Sequence, residues 1–203
     1  MTREEKLQIK EKEKQYKELI KKIAKKLGMS YKQCDLFFVD KDYFIRIGYS
    51  FYLENNSLMY CASIKYLDYD DIQWDILDMS SNKNQPLSLR ATGAFSAFGA
   101  HLIPPYKYVS LGDNPEQVIT NILTEIKQMV EDFNEDLDER VLSEVKSDNC
   151  TTLEFIAYVH QKEYTKARKL AEDCIAAGDT GQFGSNGKTF FELALEYLDK
   201  NNL

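Results

Sequence analysis

From Tyr43 onward the chain alternates apolar and polar positions with few errors. Tyr43, Ile45, Ile47, Tyr49, Phe51 and Leu53 share one parity. After Asn55-Asn56-Ser57 the parity flips, and Leu58, Tyr60, Ala62, Ile64 and Tyr66 continue it. After Asp68-Tyr69-Asp70-Asp71, Ile72, Trp74 and Ile76 repeat the pattern. Period-two burial between polar turns predicts an antiparallel β-meander. A strand over Leu36–Asp40 is expected before it and another over Leu87–Ala91 after it. Pro104-Pro105 ends a small-residue segment, and Tyr106–Leu111 reads as an edge strand, where proline is tolerated. The other face of the meander carries Phe44, Tyr52, Met59 and Cys61 among Arg46, Ser50, Ser63 and Lys65. Such a half-apolar face calls for partial cover by helices from the C-terminal half; left open, it is an aromatic-lined binding surface.

Helical spacing frames this sheet. Residues 3–27 predict one helix, with Leu7, Tyr16, Leu19, Ile20, Ile23, Ala24 and Leu27 on its apolar side and Gly28 as its C-cap. Its first turns are nearly all charge. Asp113-Asn114-Pro115-Glu116 is a helix start, followed by Val118, Ile119, Ile122, Leu123, Ile126, Met129, Val130 and Phe133. A shorter acidic helix is expected over Asp136–Lys146. Thr151-Thr152-Leu153-Glu154 fits a capping box, and helices near 152–160, 163–177 and 188–199 follow, the second stopped by Gly178. Lys162-Glu163-Tyr164-Thr165-Lys166-Ala167 with Leu170-Ala171 resembles the second helix of a tetratricopeptide repeat. No second copy follows at the repeat's period, so the segment reads as a helical hairpin that packs in the same way.

The expected fold class is therefore α+β: an N-terminal helix, an antiparallel meander sheet of four to six strands, and a helical C-terminal half. Residues 1–147 are expected to form the α+β domain and 148–203 a small helical subdomain packed on it. In outline this order resembles several small bacterial chaperone and toxin-immunity proteins, an analogy of fold alone.

Charge sharpens the picture. Residues 1–32 hold eleven Lys/Arg against five Glu, or +6, and the remaining 171 residues hold fifteen against twenty-eight acids, or −13. Segment 113–154 alone has twelve acids against three bases, or −9. A body this acidic repels phosphates, which disfavours nucleic acid outside the first helix, so no nucleic-acid partner is expected, and it suits a basic protein partner. No apolar run approaches the roughly 20 residues of a membrane helix, so no membrane partner is expected. The N-terminal stretch lacks the apolar core of a secretory signal, and Cys34, Cys61, Cys150 and Cys174 show no paired spacing. Both observations point to a cytoplasm with reduced thiols.

Motifs for chemistry fail one by one. Gly181–Thr189 has letters of a phosphate loop, but its glycines fall at the wrong offsets and it follows a helix. Asp179-Thr180-Gly181 has letters of an aspartic protease and ends a helix. Asp68, Asp70, Asp71, Asp75 and Asp78 do not match a calcium loop and read as solvated carboxylates on a turn and one strand. Of the two histidines, His160 is expected at a helix C-terminus, where the dipole stabilises an imidazolium. His101 lies in the Gly/Ala segment 92–105 with Arg90 near in sequence. No metal site and no cofactor is expected.

The leading expectation is a non-enzymatic cytoplasmic protein-binding module, immunity- or chaperone-like. It would present an acidic helical face with Glu131, Asp132, Glu135 and Asp136 to a basic partner. The alternative is a small-molecule binder or unrecognised enzyme whose pocket uses Arg90, His101, Tyr49 and Tyr60, with Arg90 holding a carboxylate or phosphate. Anionic-surface binding by the first helix is disfavoured by lysines read as scattered around it. The sequence carries no signal for an oligomeric state.

Overall fold

A computed structural model describes residues 2–103, 106–148 and 150–203, excepting the side chains of 146–148; the expected stop at Pro104-Pro105 lies outside it. The order is α1 (Arg3–Lys26), β1 (Ser30–Lys32), β2 (Asp35–Asp40), β3 (Tyr43–Tyr52), β4 (Ser57–Tyr66), α2 (Leu67–Ile76), α3 (Ser88–Thr92), β5 (Ala100–His101), β6 (Lys107–Ser110), α4 (Pro115–Glu131), α5 (Leu137–Asp148), α6 (Thr151–His160), α7 (Tyr164–Ala177), β7 (Gly184–Ser185), β8 (Lys188–Thr189) and α8 (Phe190–Lys200). This is the α+β class expected: an N-terminal helix, an antiparallel sheet and a helical C-terminal half. The chain forms two compact units, Met1–Ile64 with His101–Asn134, and Lys65–Ala100 with Glu135–Leu203.

The first unit holds the sheet. Strands run in the order β1-β2-β3-β4, and both β5 and β6 pair with β4. Leu36 stands opposite Ile47 and Phe38 opposite Ile45, so one parity of β2 and β3 feeds a single apolar face. Helix α1 buries Ile20, Ile23 and Ala24, and α4 buries Ile119, Ile122, Leu123, Ile126 and Val130, each at helical spacing. Ring pairs Tyr16–Phe51 and Tyr43–Phe133 fix these helices over the meander's first face. On the second face Phe44 and Lys65 are buried, Met59 and Cys61 half-buried, and Tyr52 exposed. Caps fall where the side chains supply them. Thr2 and Glu5 form a capping box on α1, and the Asn114 side chain accepts from Gln117 N ahead of Pro115.

The second unit is mainly helical, with the β7–β8 hairpin and the last residues of β4. Helix α2 packs against α6 and α8, and α5, α6, α7 and α8 pack in sequence. Phe155, Phe190 and Phe191 meet edge to face at its centre. Gly181 has φ +69°, and a Cβ there would stand 2.8 Å from Phe190 Cβ, so no larger residue fits. The hairpin turns on Asn186-Gly187, both at positive φ, inside the Gly181–Thr189 stretch that follows α7.

Three local expectations are corrected. The run Ile72, Trp74, Ile76 is not a third strand but part of α2, whose buried residues Tyr69, Asp70, Gln73, Trp74 and Ile76 follow a helical period instead. The Asp68–Asp78 carboxylates accordingly start and line a helix, and Asp70 is wholly buried. Leu87–Ala91 is likewise helical: α3 takes Ser88–Thr92, since Leu87 is exposed and only Ala91 is buried. Cys150, not Thr151, caps α6 and makes no side-chain capping bond; the second capping box is Thr189 with Glu192 on α8.

Candidate functional site

Helix α4 puts its apolar residues inward by its own periodicity, which leaves Glu116, Glu125, Glu131 and Asp132 exposed. None of these four makes a salt bridge among the described residues. Asp132 accepts only from the Gln128 side chain, at 3.1 Å. Glu135 and Asp136, also exposed, are partly engaged. Glu135 accepts from Arg140 at 3.3 Å, and Asp136 Oδ1 accepts from the backbone N–H groups of Asp138 and Glu139, which caps α5. The four carboxylates singled out from sequence thus share one chain stretch at the surface. Glu131 and Asp132 are uncompensated, while Glu135 and Asp136 hold local structure.

Arg90 is spent inside the second unit. Its guanidinium donates to Leu67 O at 2.8 Å, Asp70 Oδ2 at 3.2 Å and Asp71 Oδ1 at 2.8 Å, and it lies 4.8 Å from the Trp74 ring centre. Its side chain is 10% exposed. Lys65 Nζ completes the cluster, donating to Asp70 Oδ1 at 2.7 Å and Ala97 O at 2.8 Å. The backbone N–H of Ala97 also donates to Asp70 Oδ1, at 2.7 Å. This cluster anchors the Gly/Ala segment from within. Two more donors, Gln73 Nε2 and Trp74 Nε1, take Phe95 O at 2.9 and 2.8 Å.

His101 belongs to the first unit, in β5, and is partly buried. Tyr49 and Tyr60, on the neighbouring strands β3 and β4, are 4% and 5% exposed and sit in the core. The Tyr49 hydroxyl is buried without a hydrogen-bond partner among the described residues. Burial first, then the nearby Cys34 and Asp35, push its pKa up to about 12.

One arrangement had no signal in the sequence. Asp138 of α5, 6% exposed, joins two aromatic groups. Tyr69 of α2 donates its hydroxyl to Oδ1 at 2.5 Å, and His160 Nδ1 of α6 lies 2.8 Å from Oδ2. Tyr66 stacks on the imidazole, ring centres 4.4 Å apart, and Tyr69 meets it edge-on. The Asp138 hydrogen bond raises the His160 pKa above 6.5; burial opposes this, while the charges of Asp138, Asp68 and Asp136 support it. Burial, then Asp138, push the Tyr69 phenol far up. Three residues separated by 69 and 22 positions in sequence leave no local pattern to find.

No group of three or more metal-ligating side chains occurs among the described residues, and no described helix is long and apolar enough to cross a membrane. No protein-family model, curated protein or solved structure matches the chain.

Proposed function

We propose that the chain is a non-enzymatic binding module, cytoplasmic in setting, which receives a basic protein segment on the acidic surface of α4 and the turn after it. One observation carries the reading: Glu116, Glu125, Glu131 and Asp132 are exposed and make no salt bridge among the described residues, Lys127 of the same helix donating instead to Leu27 O. Carboxylates left uncompensated at a surface raise the encounter rate of a positive partner and reject negative ones. The free thiols of Cys34, Cys61 and Cys174 fit a reducing compartment. Against the small-molecule alternative stands Arg90, whose charge is already neutralised by Asp70 and Asp71 and is nearly closed to solvent.

The test compares the wild type with E125K/E131K/D132K as bait in a native lysate, at low and moderate salt, read by mass spectrometry. Glu135 and Asp136 stay in place because they hold Arg140 and the α5 N-terminus. The expected result is a stoichiometric basic partner that the triple variant loses and that salt displaces from the wild type. Capture of the same proteins by both baits, insensitive to salt, sinks the reading.

A further inference from the structure

Helix α1 is continuous from Arg3 to Lys26, so the positions of its charges follow from 3.6 residues per turn. Arg3, Lys6, Lys10, Lys14, Lys17, Lys21 and Lys25 recur at steps of three and four residues. They fall within an arc of about 100° and run about 33 Å along the axis. Only Lys12, Lys22 and Lys26 lie elsewhere on the helix, so most of its cations form a line rather than the scatter read from sequence. None of Glu4, Glu5, Glu11, Glu13 or Glu18 enters that arc. Glu13 and Glu18 flank it, holding Lys17 at 2.5 Å and Lys21 at 2.9 Å. Arg3, Lys6, Lys10, Lys14 and Lys25 are exposed and make no salt bridge among the described residues. Leu7, 58% exposed, emerges at the edge of the same line.

We propose that this line of cations is a docking surface for an anionic lipid bilayer, on which α1 lies lengthwise. Three features select that occupant. The charge is one-sided: seven of the ten cations of α1 share one arc that no glutamate enters, while all five glutamates lie outside it with Lys12, Lys22 and Lys26. A duplex nucleic-acid groove would bring phosphates against both flanks of the helix, glutamates included. A flat bilayer meets the basic side alone. The line is almost all lysine, a composition depleted from protein–protein interfaces but suited to anionic headgroups, and the exposed Tyr31 ring lies 4.8 Å from Lys21 Nζ at its C-terminal end. Leu7 supplies a short apolar contact at the depth where lysine stems lie along the interface. Residues 2–8 are exposed on every side, so Arg3 and Lys6 are open to an approaching surface.

The surface is distinct from the acidic face of α4 and does not depend on its reading. Its test is co-sedimentation with phosphatidylcholine vesicles carrying about thirty per cent phosphatidylserine, against pure phosphatidylcholine. Each cation at the surface is worth about fivefold in affinity. K6Q/K10Q/K14Q should therefore bind about a hundredfold more weakly than the wild type, whereas K12Q/K22Q/K26Q, with the same loss of charge, should weaken less than about tenfold. Far-ultraviolet circular dichroism on both variants separates lost contact from lost helix. Adsorption to the anionic vesicles alone, with that asymmetry, supports the proposal. Failure to adsorb, equal losses in the two variants, tighter capture of duplex RNA, or self-association that consumes the same lysines overturns it.

Discussion

Asp70 gathers three donors in a site closed to water: Lys65 Nζ and Ala97 N at 2.7 Å each, and Arg90 Nη1 at 3.2 Å. A buried carboxylate is tolerable only when so completely satisfied, and removing it leaves an uncompensated ammonium group. D70N should destabilise the protein by about 3–5 kcal/mol, read as a fall in the urea midpoint at constant slope. K65M/D70N, which also removes the stranded cation, should recover part of that loss. A double variant no more stable than D70N would show that the pair is not coupled. This cluster also explains why Arg90 misled at the sequence level. An arginine beside a glycine-rich segment suggests anion binding, but its neutralising acids, Asp70 and Asp71, lie about twenty residues away in sequence and meet it only in the folded unit. The residues whose role was legible are those with a local cause: Asn114 ahead of Pro115, and Gly178, which ends α7 at φ +75°.

Periodicity read long elements well and short ones poorly. Helices α1 and α4 span enough turns to display an unambiguous stripe, and β3 and β4 each alternate over ten residues. In α2 the same letters serve two periods: Ile72, Trp74 and Ile76 alternate, yet Tyr69, Gln73 and Trp74 are the side chains that packing buries. Tertiary burial decides such a case. The contact between α2, α5 and α6 through Tyr69, Asp138 and His160 is an element-scale clasp with a pH signature. The folded His160 pKa is raised above the unfolded 6.5. Protonation is therefore bound more tightly by the folded state. The clasp's contribution is complete below about pH 6.5 and is lost as pH rises through the raised folded value. H160Q should remove that slope of stability with pH in the neutral range, by chemical denaturation at a series of pH values. Imidazole titration by NMR in the folded wild type should give a His160 midpoint above 6.5. A midpoint at or below the unfolded value would dismiss the clasp.

Charge organises the molecule more sharply than its net value of −7 suggests. Within the first unit, α1 carries a line of cations along one flank, exposed except at the half-buried Lys17 and Lys21, while α4, packed beside it, presents carboxylates without salt bridges. Exposed charges more than about 8–10 Å apart are screened at physiological salt, so each such surface acts mainly on the partner that touches it. The sequence showed the two sign-biased stretches as sums, +6 and −9, but a sum carries no direction. Only the phase of each helix tells which charges share a face. The surfaces should then be separable by mutation. K6Q/K10Q/K14Q should abolish vesicle adsorption and leave capture of a basic partner unchanged within about twofold, because rim charges act mainly through local fields. E125K/E131K/D132K should do the reverse, retaining adsorption or strengthening it slightly as the net charge becomes less negative. Vesicle binding and partner capture measured side by side on the two variants give the answer. If either variant impairs both activities alike, the effective quantity is net charge, and neither helix presents a surface of its own.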